Sequence, residues 1–244
     1  MIDETKTENT TIKSTKEILI ILCKSIKNVL KTALNREITF SPLVQKIKRT
    51  CLKPDIGCFT IFEGGLSGLL IMNFSAEAAL EIYRSYMLNM GMPENELSIL
   101  HTSDDVANSL GELLNQATGK FKTELKNELS ITIKLNQPKM LTVSKDIIIS
   151  IDTQIDAPQY RRVSFETENH HPFYVELGIE KTEFEELFPF KKQKHENIED
   201  IMLHAREKQN KNKAETDECF CEADDSNETD SGKVDDEFMK KMGL

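Results

Sequence analysis

The sequence is short of most features that announce a function. Its longest apolar run is Ile18-Leu19-Ile20-Ile21-Leu22-Cys23, far below the roughly 20 residues of a membrane span. Residues 1–13 are polar and open with acids, unlike a signal peptide or an Arg-rich transit peptide, so a cytoplasmic location is expected. The 5 cysteines, at 23, 51, 58, 219 and 221, are odd in number and irregularly spaced. That pattern suits a reducing compartment better than a disulfide framework. There is no Gly-rich phosphate loop, no Ser-His-Asp order and no basic aromatic patch. With 41 acidic residues against 31 basic and a pI near 5.1, nucleic acid and anionic membrane are excluded as main partners, because both select clustered positive charge.

What is present is unevenly placed. Residues 215–237 hold eleven acids against the single base Lys233, so this segment alone carries minus 10, equal to the formal net charge of all 244 residues. A stretch rich in Asp, Glu, Ser, Asn and Thr cannot bury enough apolar surface to offset its ordering entropy, and disorder is expected there. The nearly neutral remainder is long enough for one sizeable core or two small ones.

Along that remainder, Ser14 opens an amphipathic helix through Ile18, Leu22, Ile26, Leu30 and Ala33. A short strand at 37–41 follows. Runs at 56–62 and 66–74 read as a hairpin, with Gly64 and Gly65 supplying the positive φ of its turn. Ser75 caps a helix reaching Met87, before the turn at Gly91-Met92-Pro93. Thr102 or Ser103 starts a long helix to about Asn127, and strands are expected at 130–135, 146–151, 161–167 and 173–179. A polar helix across 196–209 and a diverged duplication, helix then strands in each half, also fit. Helices grouped with antiparallel hairpins imply an α+β fold with helices covering one sheet face.

The helix over 103–127 is the most informative stretch. At 100° per residue its apolar residues, among them Val106, Leu110, Leu113, Phe121 and Leu125, share one face. Asp104, Asn108, Glu112 and Asn115 fall opposite, one turn apart, in a continuous polar stripe that Gly119 extends. A merely solvated face gives the same periodicity. Gly111 and Gly119 count against it, since each costs a helix interior about 1 kcal/mol relative to Ala and would let another backbone approach.

The run Gly111-Glu112-Leu113-Leu114-Asn115-Gln116-Ala117-Thr118-Gly119, followed by Pro138, resembles the motif of the CheC/CheX chemotaxis phosphatases. In that motif Asp or Ser precedes Glu by one turn, Asn follows three residues after Glu, and a spaced Pro comes later. The resemblance covers residues 14–180 and implies a CheX-like two-layer domain, with an antiparallel or mixed sheet and long helices on one face. It implies a phosphatase acting on the aspartyl phosphate of a CheY-like receiver domain. Asn115 would orient the attacking water and Glu112 would pair with a partner cation. No cofactor or metal of this chain is implied, the Mg²⁺ belonging to the receiver domain. Asn108 departs from the motif, standing where Asp or Ser is usual. A single Glu-x-x-Asn pair is closer to the one-site CheX arrangement than to two-site CheC.

The last residues, Asp236-Glu237-Phe238-Met239-Lys240-Lys241-Met242-Gly243-Leu244, are similar to the receiver-docking peptide of CheZ. Phe238, Met239, Met242 and Leu244 would bind the partner by an apolar helix face in a groove. Chain organisation is then a flexible 1–13, a phosphatase domain 14–180, a polar acidic linker 181–233 and a docking peptide 234–244. The linker would act as a tether raising local partner concentration to roughly millimolar. A frayed tail with chance hydrophobes is the plain alternative. Partner-binding candidates on the helix are Asp104, Asn108 and Gly119, and the reading leaves room for a homodimer. A non-catalytic receiver-binding adaptor or flagellar-switch-like module is the competing function. Cys219-Phe220-Cys221 lacks a nearby His for a soft-metal site, His170-His171 reads as a turn, and Cys23, Cys51 and Cys58 read as small packed hydrophobes.

Overall fold

The computed structural model describes residues 12–151 and 153–185. Strand β1 (Ile12–Ser14) leads into helix α1 (Thr15–Leu34). Ser14 caps α1, and Glu17 returns a carboxylate oxygen to the Ser14 N–H at 2.8 Å, the reciprocal bonding of a capping box. Asn35 ends the helix in the left-handed region, φ 50°. β2 (Thr39–Ile47), β3 (Thr50–Leu52), β4 (Ile56–Gly64) and β5 (Gly68–Phe74) follow. Next come α2 (Ala76–Asn89), capped by Ser75, and α3 (Asp104–Leu129), capped by Ser103. β6 (Ile133–Leu135), β7 (Lys139–Thr142), β8 (Ile149–Ile151), β9 (Pro158–Glu166), β10 (Pro172–Glu180) and β11 (Glu183–Glu185) complete the described chain.

Seven strands form one sheet in the order β2-β9-β10-β5-β4-β6, with β7 also on β4, and its pairings are antiparallel. Alternate side chains of the central strands point to one face, where Phe62, Leu70, Phe165 and Val175 join Leu22 of α1, Ile82 of α2 and Leu113 of α3 in a single core. Phe62 meets Phe121 of α3 edge-on with ring centroids 6.0 Å apart. This is the α+β arrangement with helices on one face that the sequence implies.

The opposite sheet face is capped by something smaller. β3 and β8 pair in their own two-stranded sheet, and Leu52, Leu69, Ile71 and Val143 make a second apolar cluster. The segment around β3 is pinned by buried polar groups. Glu176 accepts from the Cys51 N–H at 2.9 Å and from Arg162 Nε at 2.8 Å, and Asn73 accepts from the Lys53 N–H and donates to the Cys51 carbonyl. Both residues are buried, so every bond replaces lost water.

Several elements differ from expectation. Ser130 is not a strand residue but the left-handed cap of α3, φ 56°, and the strand there begins at Ile133. Residues 146–148 belong to no strand, the Ile147 N–H turning back to the Ser144 carbonyl at 2.9 Å; the strand there is β8 alone, and it serves the small sheet. The strand expected at 37–41 runs on through Pro42, which is tolerated because β2 lies at the sheet edge with a bulge between Phe40 and Val44. In the β4–β5 turn only Gly64 has positive φ, 129°; Gly65 instead donates its N–H to the Thr132 carbonyl.

Candidate functional site

Helix α3 is built to hold one face fixed and leave the other open. Val106, Leu110, Leu113, Leu114, Ala117, Phe121 and Leu125 are buried against the sheet and α1. On the opposite side Asp104, Asn108, Glu112 and Asn115 are all exposed. With Gly119 they lie within about 80° of the helical circumference and extend over about 22 Å.

Within the stripe, Gln116 Nε2 donates to Glu112 Oε1 at 3.0 Å, which fixes the carboxylate one turn from Asn115. Asn115 makes no side-chain hydrogen bond with any described residue, and no described residue buries it. Its backbone is braced from below: the buried Thr118 hydroxyl donates to the carbonyls of Leu114 at 2.9 Å and Asn115 at 3.0 Å. Asn108 does not hydrogen-bond across the turn to Glu112, whose partner is Gln116 instead. The i,i+4 spacing of Gln116 from Glu112 is the one sequence signal of this contact.

The two glycines are informative by their surroundings. A Cβ at Gly119 would meet nothing within 4 Å, and one at Gly111 would make only ordinary contact with Met140 at 3.6 Å. Neither is demanded by the packing of the described chain. Met140 lies on β7, just beyond Pro138, and the loop between β6 and β7 is tied to β4 by the Asn136 N–H to the Ile61 carbonyl at 2.9 Å and by Thr60 Oγ1 to the Asn136 carbonyl at 2.7 Å. The spaced proline of the motif therefore sits in the turn that brings Met140 beneath Gly111.

Phe238, Met239, Met242, Leu244, the expected 196–209 helix and Cys219-Phe220-Cys221 lie outside the described residues. Among the described residues no group of three or more His, Cys, Asp or Glu is placed to hold a metal ion, and no helix is long and apolar enough to cross a membrane. His171 does belong to a structural cluster: its Nδ1 lies 2.7 Å from Glu81 Oε2, joining the β9–β10 turn to α2. Cys23 and Cys58 are buried and Cys51 half-buried.

The family described as "Protein of unknown function (DUF3334)" matches residues 9–244. The chain belongs to this family. No curated protein matches it. Solved structures place the fold of this DUF3334 member. The chain is similar to the chemotaxis protein CheX from Desulfovibrio desulfuricans, with 20% identity and TM-score 0.56 over 67% of this chain and 99% of that one. It is similar to CheX from Vibrio vulnificus, 19% identical with TM-score 0.55 over 67% and 99%. A CheC-like superfamily protein from Shewanella sp. PV-4 is 21% identical with TM-score 0.55 over 67% and 97%. The DUF3334 chain thus has the CheX/CheC-like fold.

Proposed function

We propose that this protein binds a CheY-like receiver domain through the outer stripe of α3 and hydrolyses its aspartyl phosphate. The observation that carries the reading is the exposure of Glu112 and Asn115, about 4.5 Å apart along the helix axis and uncovered by any described residue. The CheX-like fold and the Glu-x-x-Asn motif support it.

The chemistry suits the groups. An acyl phosphate is cleaved when a water oxygen attacks phosphorus in line, the bond to the carboxyl oxygen breaks, and inorganic phosphate leaves the partner's aspartate as carboxylate. Such a reaction needs position and charge neutralisation more than covalent help. A neutral carboxamide such as Asn115 can accept from and donate to that water without repelling the phosphoryl oxygens. Glu112 is an anion and belongs on a partner cation, where a matched charge fixes register. The Mg²⁺ that neutralises phosphoryl charge arrives with the partner. Gly119, where a Cβ would meet nothing within 4 Å, keeps the helix low beside the pair, so that a second backbone can come close.

Asn108, standing where the motif has Asp or Ser, favours a second reading in which binding is kept and turnover lost. Phosphate release from a phosphorylated CheY-like receiver domain, with and without the protein, separates the two. Acceleration of release establishes the phosphatase. Binding without acceleration establishes the adaptor.

A further inference from the structure

The outer stripe of α3 does not stop at Gly119. At 100° per residue, Lys122 and Lys126 fall within the same arc of about 80° that holds Asp104, Asn108, Glu112, Asn115 and Gly119. They lie about 10 and 16 Å beyond Asn115 along the helix axis. Both are exposed, and neither is ion-paired to a described residue. Lys120, which points off the stripe, is by contrast committed to Glu124 at 2.8 Å. The stripe is therefore polarised: α3 carries Asp104, Asp105 and Glu112 and no base before Lys120, and the unpaired cations stand at its far end.

A recess adjoins those cations. It is a cavity of about 400 Å³ lined by Lys122, Thr123, Lys126, Asn127 and Thr132, with no carboxylate among its described lining residues. Its walls are tied down. The Thr123 hydroxyl donates to the Gly119 carbonyl at 3.1 Å, Ser130 turns the chain in its left-handed cap, and the Thr132 carbonyl accepts from the Gly65 N–H at 3.0 Å. Two ammonium groups flanked by neutral hydroxyl and carboxamide donors suit an entering carboxylate.

The partner is anionic where it meets this helix. An aspartyl phosphate carries negative charge, and Mg²⁺ beside it is held by oxygen ligands that include carboxylates. Asp104 and Glu112 repel such a surface. Lys122 and Lys126 attract it from one to two screening lengths away, the screening length being roughly 8 Å at physiological salt. We propose that Lys122 and Lys126 seat an acidic side chain of the receiver domain in this recess, so that docking runs from Glu112 to the C-terminal end of α3. This inference rests on the receiver-binding reading and adds orientation to it. With acid at one end of the stripe and base at the other, a partner turned end for end meets like charge at both.

Binding kinetics of the full chain with a phosphorylated CheY-like receiver domain test it. In Lys122→Glu with Lys126→Glu, Kd should rise at least tenfold, chiefly through slower association, while turnover at saturating receiver stays within about threefold of wild type. The difference in Kd should shrink at about 1 M salt, where charges are screened within roughly 3 Å. Lys46→Glu with Lys48→Glu, at the sheet edge opposite β6, makes the same change in net charge and should alter Kd less than twofold. If the reversed pair unfolds, Lys122→Gln with Lys126→Gln keeps good helix formers and should still raise Kd at least threefold. Binding that neither α3 pair alters overturns this inference alone, as does an equal loss in the β2 pair, which assigns the effect to net charge. A wild-type chain that binds no receiver domain overturns the underlying reading and this inference with it.

Discussion

Gln116 donates to Glu112 across one turn of α3 at 3.0 Å, so the carboxylate of the candidate site is held by a neutral neighbour on its own helix. The exposed geometry makes this bond worth little to the fold, about 0.2–0.5 kcal/mol for such a pair. Its value lies in holding Glu112 in position beside Asn115. Replacing Gln116 by Ala should leave thermal unfolding within about 0.5 kcal/mol of wild type and weaken receiver binding about two-fold, measured by titration of a labelled receiver domain.

Gly119 supplies a sharper separation of fold from function. Since a Cβ there meets nothing within 4 Å, Gly119→Ala should stabilise the domain by about 0.5–1 kcal/mol through helix propensity. Gly119→Arg should fold as well but block the approach of a partner backbone. Receiver affinity should therefore fall at least tenfold in Gly119→Arg with no loss of thermal stability.

The buried Glu176 tests the other face of the sheet. Glu176→Ala would leave Arg162, paired to it at 2.7 Å, without its counter-ion and the Cys51 N–H without its acceptor. Removing one member of a buried pair costs about 3–5 kcal/mol. Denaturant unfolding should show that loss in the midpoint, with receiver binding by the folded fraction unchanged.

Burial raises the thiols of Cys23 and Cys58 from 9.0 to about 12 in each case. Because the folded values lie above the unfolded ones, the neutral thiols' contribution to stability is complete below pH 9. It is lost as pH climbs through 9 toward 12. Iodoacetamide at pH 8 should modify the half-buried Cys51 while sparing Cys23 and Cys58 in peptide maps, and the midpoint of unfolding should decline above pH 9.

What could be read from the residues was whatever local chemistry decides. Ser14, Ser75 and Ser103 announce their helices because a hydroxyl before an apolar period satisfies orphan N–H groups. The stripe from Asp104 to Asn115 was legible because helical period is rigid. β3, β7 and the short β8 were missed or misjudged because three or four residues carry too little pattern; long-range pairing and the pins from Glu176 and Asn73 create them. Ser130 misled because a left-handed cap between an apolar helix end and a strand looks like strand from composition alone. The role of Gln116 needed coordinates, since a surface amide has several rotamers and the sequence does not say that it takes one reaching Glu112.

The central claim is tested most directly by comparing wild type with Asn115→Ala for phosphate release from a phosphorylated CheY-like receiver domain in Mg²⁺, with receiver affinity measured on the same samples. The account predicts that the variant loses at least about 100-fold in turnover, the scale set by misplacing a reacting group, while affinity changes less than about threefold. Equal turnover in the two proteins would contradict it.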